Sequence, residues 1–161
     1  MDIHYLSALE IAEKIKSKEI SSLELTKHFI DRIEKYDDKI NSVVVRIFDQ
    51  AIEDAKEADK SLSNNQNLGP LHGVPMTIKE SYNIKGQSTN WGIPEYKGNI
   101  AKEDGLAVKR FKNAGAHFLG KTNVPMNLAD FQSYNDIYGT TGNPWDVKTT
   151  PGGSSGGSAA A

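Results

Sequence analysis

The chain has 161 residues, 37% of them hydrophobic and 25% charged, which suits one soluble globular domain with a real core and gives no reason to expect disorder. Nineteen Lys and Arg stand against 21 Asp and Glu; the net charge of -2 gives no electrostatic reason to expect DNA, RNA or an anionic membrane as partner, so the expected partner is a small molecule. There is no cysteine, which excludes disulfides, zinc–thiolate sites and thiol nucleophiles together.

The first segment, MDIHYLSALEIAEK, carries acidic residues early and has no apolar run long enough for a signal peptide or a membrane span, so a cytoplasmic location is expected. Ser7 and Glu10 form a Ser-x-x-Glu capping box, in which each side chain can satisfy an otherwise unpaired amide, and a helix is predicted from there to about Lys18. The pattern recurs at Ser21 and Glu24, opening a second amphipathic helix with Leu25, Phe29, Ile33 and Tyr36 on one face. SVVVRIF at 42–48 is β-branched and reads as a strand, and a third helix from about Gln50 to Leu62 lines up Ala51, Ala55, Ala58 and Leu62 for close packing. SNNQNLGP at 63–70 reads as a loop.

From Gly73 the character changes. In GVPMTIK, Val74, Met76 and Ile78 alternate with Thr77 and Lys79, which predicts a strand that delivers a lysine near its end. EDGLAVKRFKNAG predicts a helix with Leu106, Val108 and Phe111 on its apolar arc and Gly115 as its C-terminal stop, followed by a strand in AHFLGKTN. Strand, helix and strand in that order predict parallel strands with a covering helix. The remainder, GTTGNPWDVKTTPGGSSGGS, is loop-rich.

Several segments invite chemical readings. GNPWDVKT at 142–149 approaches a phosphate-binding loop, but Val147 stands where the second glycine belongs and Pro144 removes a cradling amide, so a turn at Asn143–Pro144 is the better reading. The four histidines, His4, His28, His72 and His117, lack ligand spacing, and no metal site is expected. Lys79 beside Glu80 reads on its own as a solvated ion pair; a dry pocket would instead lower its pKa and make the amine a base. PGGSSGGSAAA at 151–161 matches either a flexible tail or an active-site loop, with SAAA opening a helix capped by Ser158.

GPLHGVPMTIKE, GKTNVP, YGTTGNPWD and TPGGSSGGSAAA, in this order and at these separations behind paired amphipathic helices, resemble the amidase signature family of serine hydrolases. The resemblance extends over essentially the whole chain and implies the N-terminal portion of that family's α/β/α fold, a single partial domain around a mixed sheet. Residues 1–70 would form its mainly helical part and 71–161 the start of the α/β catalytic core.

The family cleaves carbon–nitrogen bonds of amides through a Ser-Ser-Lys triad and an acyl-enzyme. By motif, the resemblance implies that Lys79 is the base and Ser154 the bridging serine, preceded by a cis peptide bond for which Gly152 and Gly153 make room, with Ser155 supporting the network by hydrogen bonding. Asn127 and Leu128 would line the acyl side of the substrate pocket, although packing alone also accounts for Leu128. The nucleophilic serine and the oxyanion hole beside it are expected beyond Ala161, so residues 1–161 alone are expected to be inactive and, with core surface and a sheet edge uncovered, to self-associate. No cofactor or metal is implied, and the partner is a small-molecule amide. Where many relatives carry Asp-Asn after the lysine, this chain has Glu80-Ser81, a change expected to loosen contacts around the base. TNVP with MNLADF resembles stand-alone amidases more than the catalytic component of the tRNA-dependent amidotransferases. Part of such an amidotransferase component, or a non-catalytic interaction module, is the alternative reading.

Overall fold

The computed structural model describes residues 3–64 and 68–161. The first helix, α1 (Ala8–Lys16), starts at the predicted capping box: the Glu10 backbone donates to the Ser7 hydroxyl at 3.3 Å, and the Ser7 backbone donates to the Glu10 carboxylate at 2.7 Å. Ser21 caps α2 (Ser22–Ile40) by accepting from the Glu24 amide at 3.0 Å. Ile11, Ile15 and Leu25 bury with Val74 between these helices; Ile15 and Leu25 are wholly buried, each worth about 2 kcal/mol in apolar surface removed from water. Tyr36, expected on the same face as Leu25, is instead half exposed, and Arg32 and Lys35 lie over its ring. Asn41 ends α2 in the left-handed conformation, φ 57°.

Strand β1 (Val43–Arg46) and helix α3 (Phe48–Ser63) follow. Ala51 and Ala55 are fully buried, so the small face does bring α3 close; with Ile30 of α2 and Leu119 it forms one core cluster. The middle of the predicted loop at 63–70 lies outside the described residues.

Strand β2 (Pro75–Lys79), helix α4 (Leu106–Asn113) and strand β3 (His117–Thr122) then build the predicted parallel unit. The sheet runs β1-β3-β2: β2 pairs with β3 in parallel, with Lys79 opposite Thr122, and β1 pairs with β3 antiparallel, with Val43 opposite Thr122. The sheet is therefore mixed. Successive residues of β3 point to different clusters, as strand alternation requires: Phe118 packs with Val108 and Phe111 of α4, and Leu119 with α2 and α3.

Two expectations about packing faces fail here. Val74 lies before the strand and joins the α1–α2 cluster, while Met76 and Ile78, two residues apart on β2, pack together in the cluster that holds Val108 of α4. Leu106 is 64% exposed. It is the first residue of α4, and at 3.6 residues per turn it lies on the opposite side from Val108. The chain closes with a small hairpin, β4 (Tyr134–Asn135) and β5 (Gly139–Thr140), and with α5 (Gly156–Ala160), which packs on the ends of β2 and β3.

Candidate active site

Lys79 is the last residue of β2, at the C-terminal end of the parallel pair, and its side chain is half-buried. Its Nζ donates to the Ser154 hydroxyl oxygen at 2.6 Å, across 75 residues of sequence. Burial lowers the Lys79 pKa from its ordinary value, which favours the neutral amine. The expected ion pair with Glu80 does not form. Strand alternation sends Glu80 the other way, where it is fully buried and accepts from the backbone amides of Asn90 at 2.6 Å and Trp91 at 2.9 Å.

Ser154 is held by glycine geometry that no other residue could supply. Gly152 turns the chain at φ 93°, and a Cβ on Gly153 would lie 2.4 Å from the Asp130 carbonyl oxygen and 2.7 Å from the Phe131 carbonyl carbon. The Gly153–Ser154 peptide bond is cis, as the resemblance implied. A free-tail reading of 151–161 is thereby overturned: the Gly156 amide donates to the buried Ser133 hydroxyl at 2.9 Å, and the Gly157 amide to the Asn123 carbonyl at 3.3 Å.

Helix α5 also begins earlier than expected. Ser155, not Ser158, stands at its N-cap, because Gly156 and Gly157 enter the helix pressed against Ser133 and Asn123. Ser158 lies inside the helix, where its hydroxyl meets the Thr122 hydroxyl at 2.6 Å and hitches α5 to β3. Ser155 is exposed, and among the described residues its hydroxyl has no hydrogen-bond partner, in place of the supporting bond expected of it.

Asn127 and Leu128 form a turn with left-handed backbone, φ 52° and 59°. Asn127 is exposed and Leu128 half-buried. Among the described residues no hydrogen bond joins either to Lys79 or Ser154; the same segment continues to Asp130 and Phe131, whose backbone forms the wall behind Gly153.

Sequence reasoning missed a buried polar layer beside this site. Lys121 of β3 is fully buried and donates to the Ser88 carbonyl and to the Thr89 hydroxyl, the latter at 2.7 Å. Burial brings its pKa down to about 8, against the pull of the Glu80 charge. Burial likewise raises Glu80, opposed by its bonds from Asn90, Trp91 and Tyr138 and by Lys121. A lysine inside the predicted strand, following the apolar Phe118 and Leu119 in HFLGKT, is the one signal that could have found it. Asn123 and Asn135, also buried, tie the β3 exit to the hairpin: Asn135 donates to the Asn123 side-chain oxygen at 2.9 Å and to the Val124 carbonyl at 2.8 Å.

A family model described as Amidase matches residues 24–161. The chain belongs to the amidase signature family. Its relatives in that family include a component of the glutamyl-tRNA(Gln) amidotransferase of Carboxydothermus hydrogenoformans, 41% identical over 160 residues, which cover 99% of this chain and 33% of the relative. They also include the acylamidase of Rhodococcus erythropolis, 38% identical over 154 residues, covering 96% of this chain and 32% of that enzyme. Among solved amidase signature structures, a bacterial aryl acylamidase superposes with a TM-score of 0.90 at 32% identity over 97% of this chain and 33% of its own. Fatty acid amide hydrolase superposes with 0.89 at 33% identity over 96% and 29%. The chain spans about a third of the length of the curated amidase signature relatives it matches.

Proposed function

We propose that this chain is the base-bearing N-terminal portion of an amidase signature hydrolase that cleaves carbon–nitrogen bonds of small-molecule amides by a Ser-Ser-Lys mechanism. The observation that carries the reading is the 2.6 Å contact between Lys79 Nζ and Ser154 Oγ, made by a lysine whose pKa burial depresses. A serine hydroxyl is a poor nucleophile until a base takes its proton, and an amine serves only when neutral. Ser154 suits the relay because a hydroxyl both donates and accepts.

A nucleophilic serine, carried by the part of the enzyme outside residues 1–161, passes its proton to Ser154 Oγ while Ser154 passes its own to Lys79 Nζ. The freed oxygen bonds to the amide carbonyl carbon, whose π pair moves onto its oxygen. Collapse breaks the carbon–nitrogen bond, and the leaving amine takes back the proton from Lys79 through Ser154. Water then enters by the same relay and releases the acid.

The test uses the complete gene product that contains this segment, assayed on aliphatic and aryl amides. Lys79→Ala is expected to lower kcat by about 10²- to 10⁴-fold, the usual contribution of a positioned base. Hydrolysis that survives Lys79→Ala and Ser154→Ala overturns the proposal. Residues 1–161 by themselves are expected to give background rates only.

A second reading, part of a tRNA-dependent amidotransferase, is favoured by the 41% identity to a component of such an enzyme. It predicts turnover only with partner chains and glutamyl-tRNA present, whereas a stand-alone amidase acts without them.

A further inference from the structure

The residue after Lys79 is built into the structure more tightly than Lys79 itself. Glu80 has no exposed surface, and three donors converge on its carboxylate: the Asn90 amide at 2.6 Å, the Trp91 amide at 2.9 Å and the Tyr138 hydroxyl at 3.5 Å. Only a carboxylate, with two acceptor oxygens and no proton of its own, takes them all. Both amides belong to one turn, in which Trp91 adopts a left-handed φ of 56°; the residue is 43% exposed, and its indole N–H adds one bond at the surface, to the Ser81 carbonyl at 3.2 Å.

That turn carries a second one. The Trp91 carbonyl accepts the Asn127 amide at 2.8 Å, and a Cβ on Gly92 would lie 3.1 Å from the Met126 Cα, so the two turns are in close contact. Asn127 and Leu128, both left-handed without being glycine, need such an external hold, since that backbone region is sparsely populated for side-chain-bearing residues. At the other end of the 88–91 segment, the fully buried Lys121 grips Ser88 and Thr89 and supplies the opposite charge to Glu80. As a stabilising device alone, buried charge is a poor choice, because well-packed apolar residues usually do as well or better. What this arrangement delivers instead is a fixed position for two surface turns beside the catalytic strand.

We propose that Glu80 is a positioning residue for the substrate site: its buried carboxylate holds the Asn90–Trp91 turn, and through the Trp91 carbonyl it holds the Asn127–Leu128 turn, which the family resemblance assigns to the acyl side and which runs on into the Asp130–Phe131 wall behind Gly153. The assignment rests on the amidase reading above. Glu80 acts on which acyl group is accepted, while Lys79 and Ser154 move the proton.

The experiment uses the complete gene product and an amide series with one leaving amine and acyl groups of increasing size. In Glu80→Gln one of the amide donors faces an NH2 group, and a buried donor left unpaired is expected to raise KM for the larger acyl groups on the order of tenfold. The preference between large and small acyl groups shifts by a similar factor, while kcat and its pH profile stay as in the parent. Hydrogen exchange at the Asn90 and Trp91 amides accelerates. Glu80→Asp, which keeps the charge, restores part of the preference. Tyr138→Phe, which leaves the carboxylate in place, moves the preference in the same direction by a smaller factor and decides the matter if Glu80→Gln does not fold. An active parent whose acyl preference is unchanged in these variants overturns the assignment, as does a uniform fall in kcat with a displaced pH profile. A parent without amidase activity fails the reading underneath, and the assignment falls with it.

Discussion

Acidification should loosen the junction between the helical part and the sheet through one side chain, His117. It opens β3, is 5% exposed, and its Nε2 lies 2.8 Å from the Thr26 hydroxyl of α2, while its Nδ1 is buried without a hydrogen-bond partner among the described residues. Burial pushes its pKa down to about 4 from an ordinary 6.5, against the pull of Asp54 and Asp59. Because the folded value is the lower one, the unfolded chain binds the proton more readily. Stability is therefore complete above 6.5 and is lost as pH falls from there towards about 4. At about 1.4 kcal/mol per pH unit the full loss is about 3 kcal/mol, of which about 2 kcal/mol falls between pH 7.5 and pH 5. Urea unfolding of the parent and of His117→Asn at both pH values isolates the contribution, since other titrating groups are common to both proteins. The parent should lose about 2 kcal/mol more than the variant over that interval. Equal losses, or an NMR titration that puts His117 near 6.5, would refute the reasoning.

Three further outcomes follow from particular contacts. If Lys79 is the base, the acid limb of kcat/KM in the complete enzyme rises through an inflection below 10.5, and an inflection at or above that value contradicts the burial argument. Gly157→Ala places a Cβ 2.3 Å from the Asn123 backbone nitrogen, and the overpacking should cost about 2 kcal/mol in thermal unfolding; an unchanged Tm would show that α5 is not seated there. Ile15→Ala empties a fully buried site and should cost about 3 kcal/mol in urea, against less than about 0.5 kcal/mol for Leu9→Ala at a position 64% exposed; equal effects would place the α1–α2 core elsewhere.

The parts of the fold that short-range chemistry determines were legible in the sequence. Ser7 and Ser21 cap the helices that their spacing announced, and the strand–helix–strand order of 73–122 produced parallel β2 and β3. What escaped depends on what a residue meets far along the chain. Leu106 has the composition of a core residue but the phase of a surface one. Asp37, an ordinary acidic residue near the end of α2, is buried and takes the backbone amides of Ser42 at 2.7 Å and Val43 at 3.1 Å to turn the chain into β1. No local pattern marks a carboxylate for that duty.

The site divides along the same line. Gly152, Gly153 and Ser154 could be placed by motif because a φ of 93° and a backbone wall at 2.4 Å leave so few residue types that fit, and such constraint writes itself into sequence. Glu80 was misread for the converse reason. Adjacent in sequence to Lys79, it looked like that lysine's partner, yet adjacency along a strand means opposite sides of a sheet. Its real partners, the amides of Asn90 and Trp91, carry no side-chain signature at all, since any residue but proline offers the same N–H. The two neighbouring charges thus serve different ends. Lys79 remains half-buried with its Nζ on the Ser154 hydroxyl, while Glu80 is sealed in and takes backbone amides. A change at Glu80 should therefore alter what the site accepts before it alters how the site reacts.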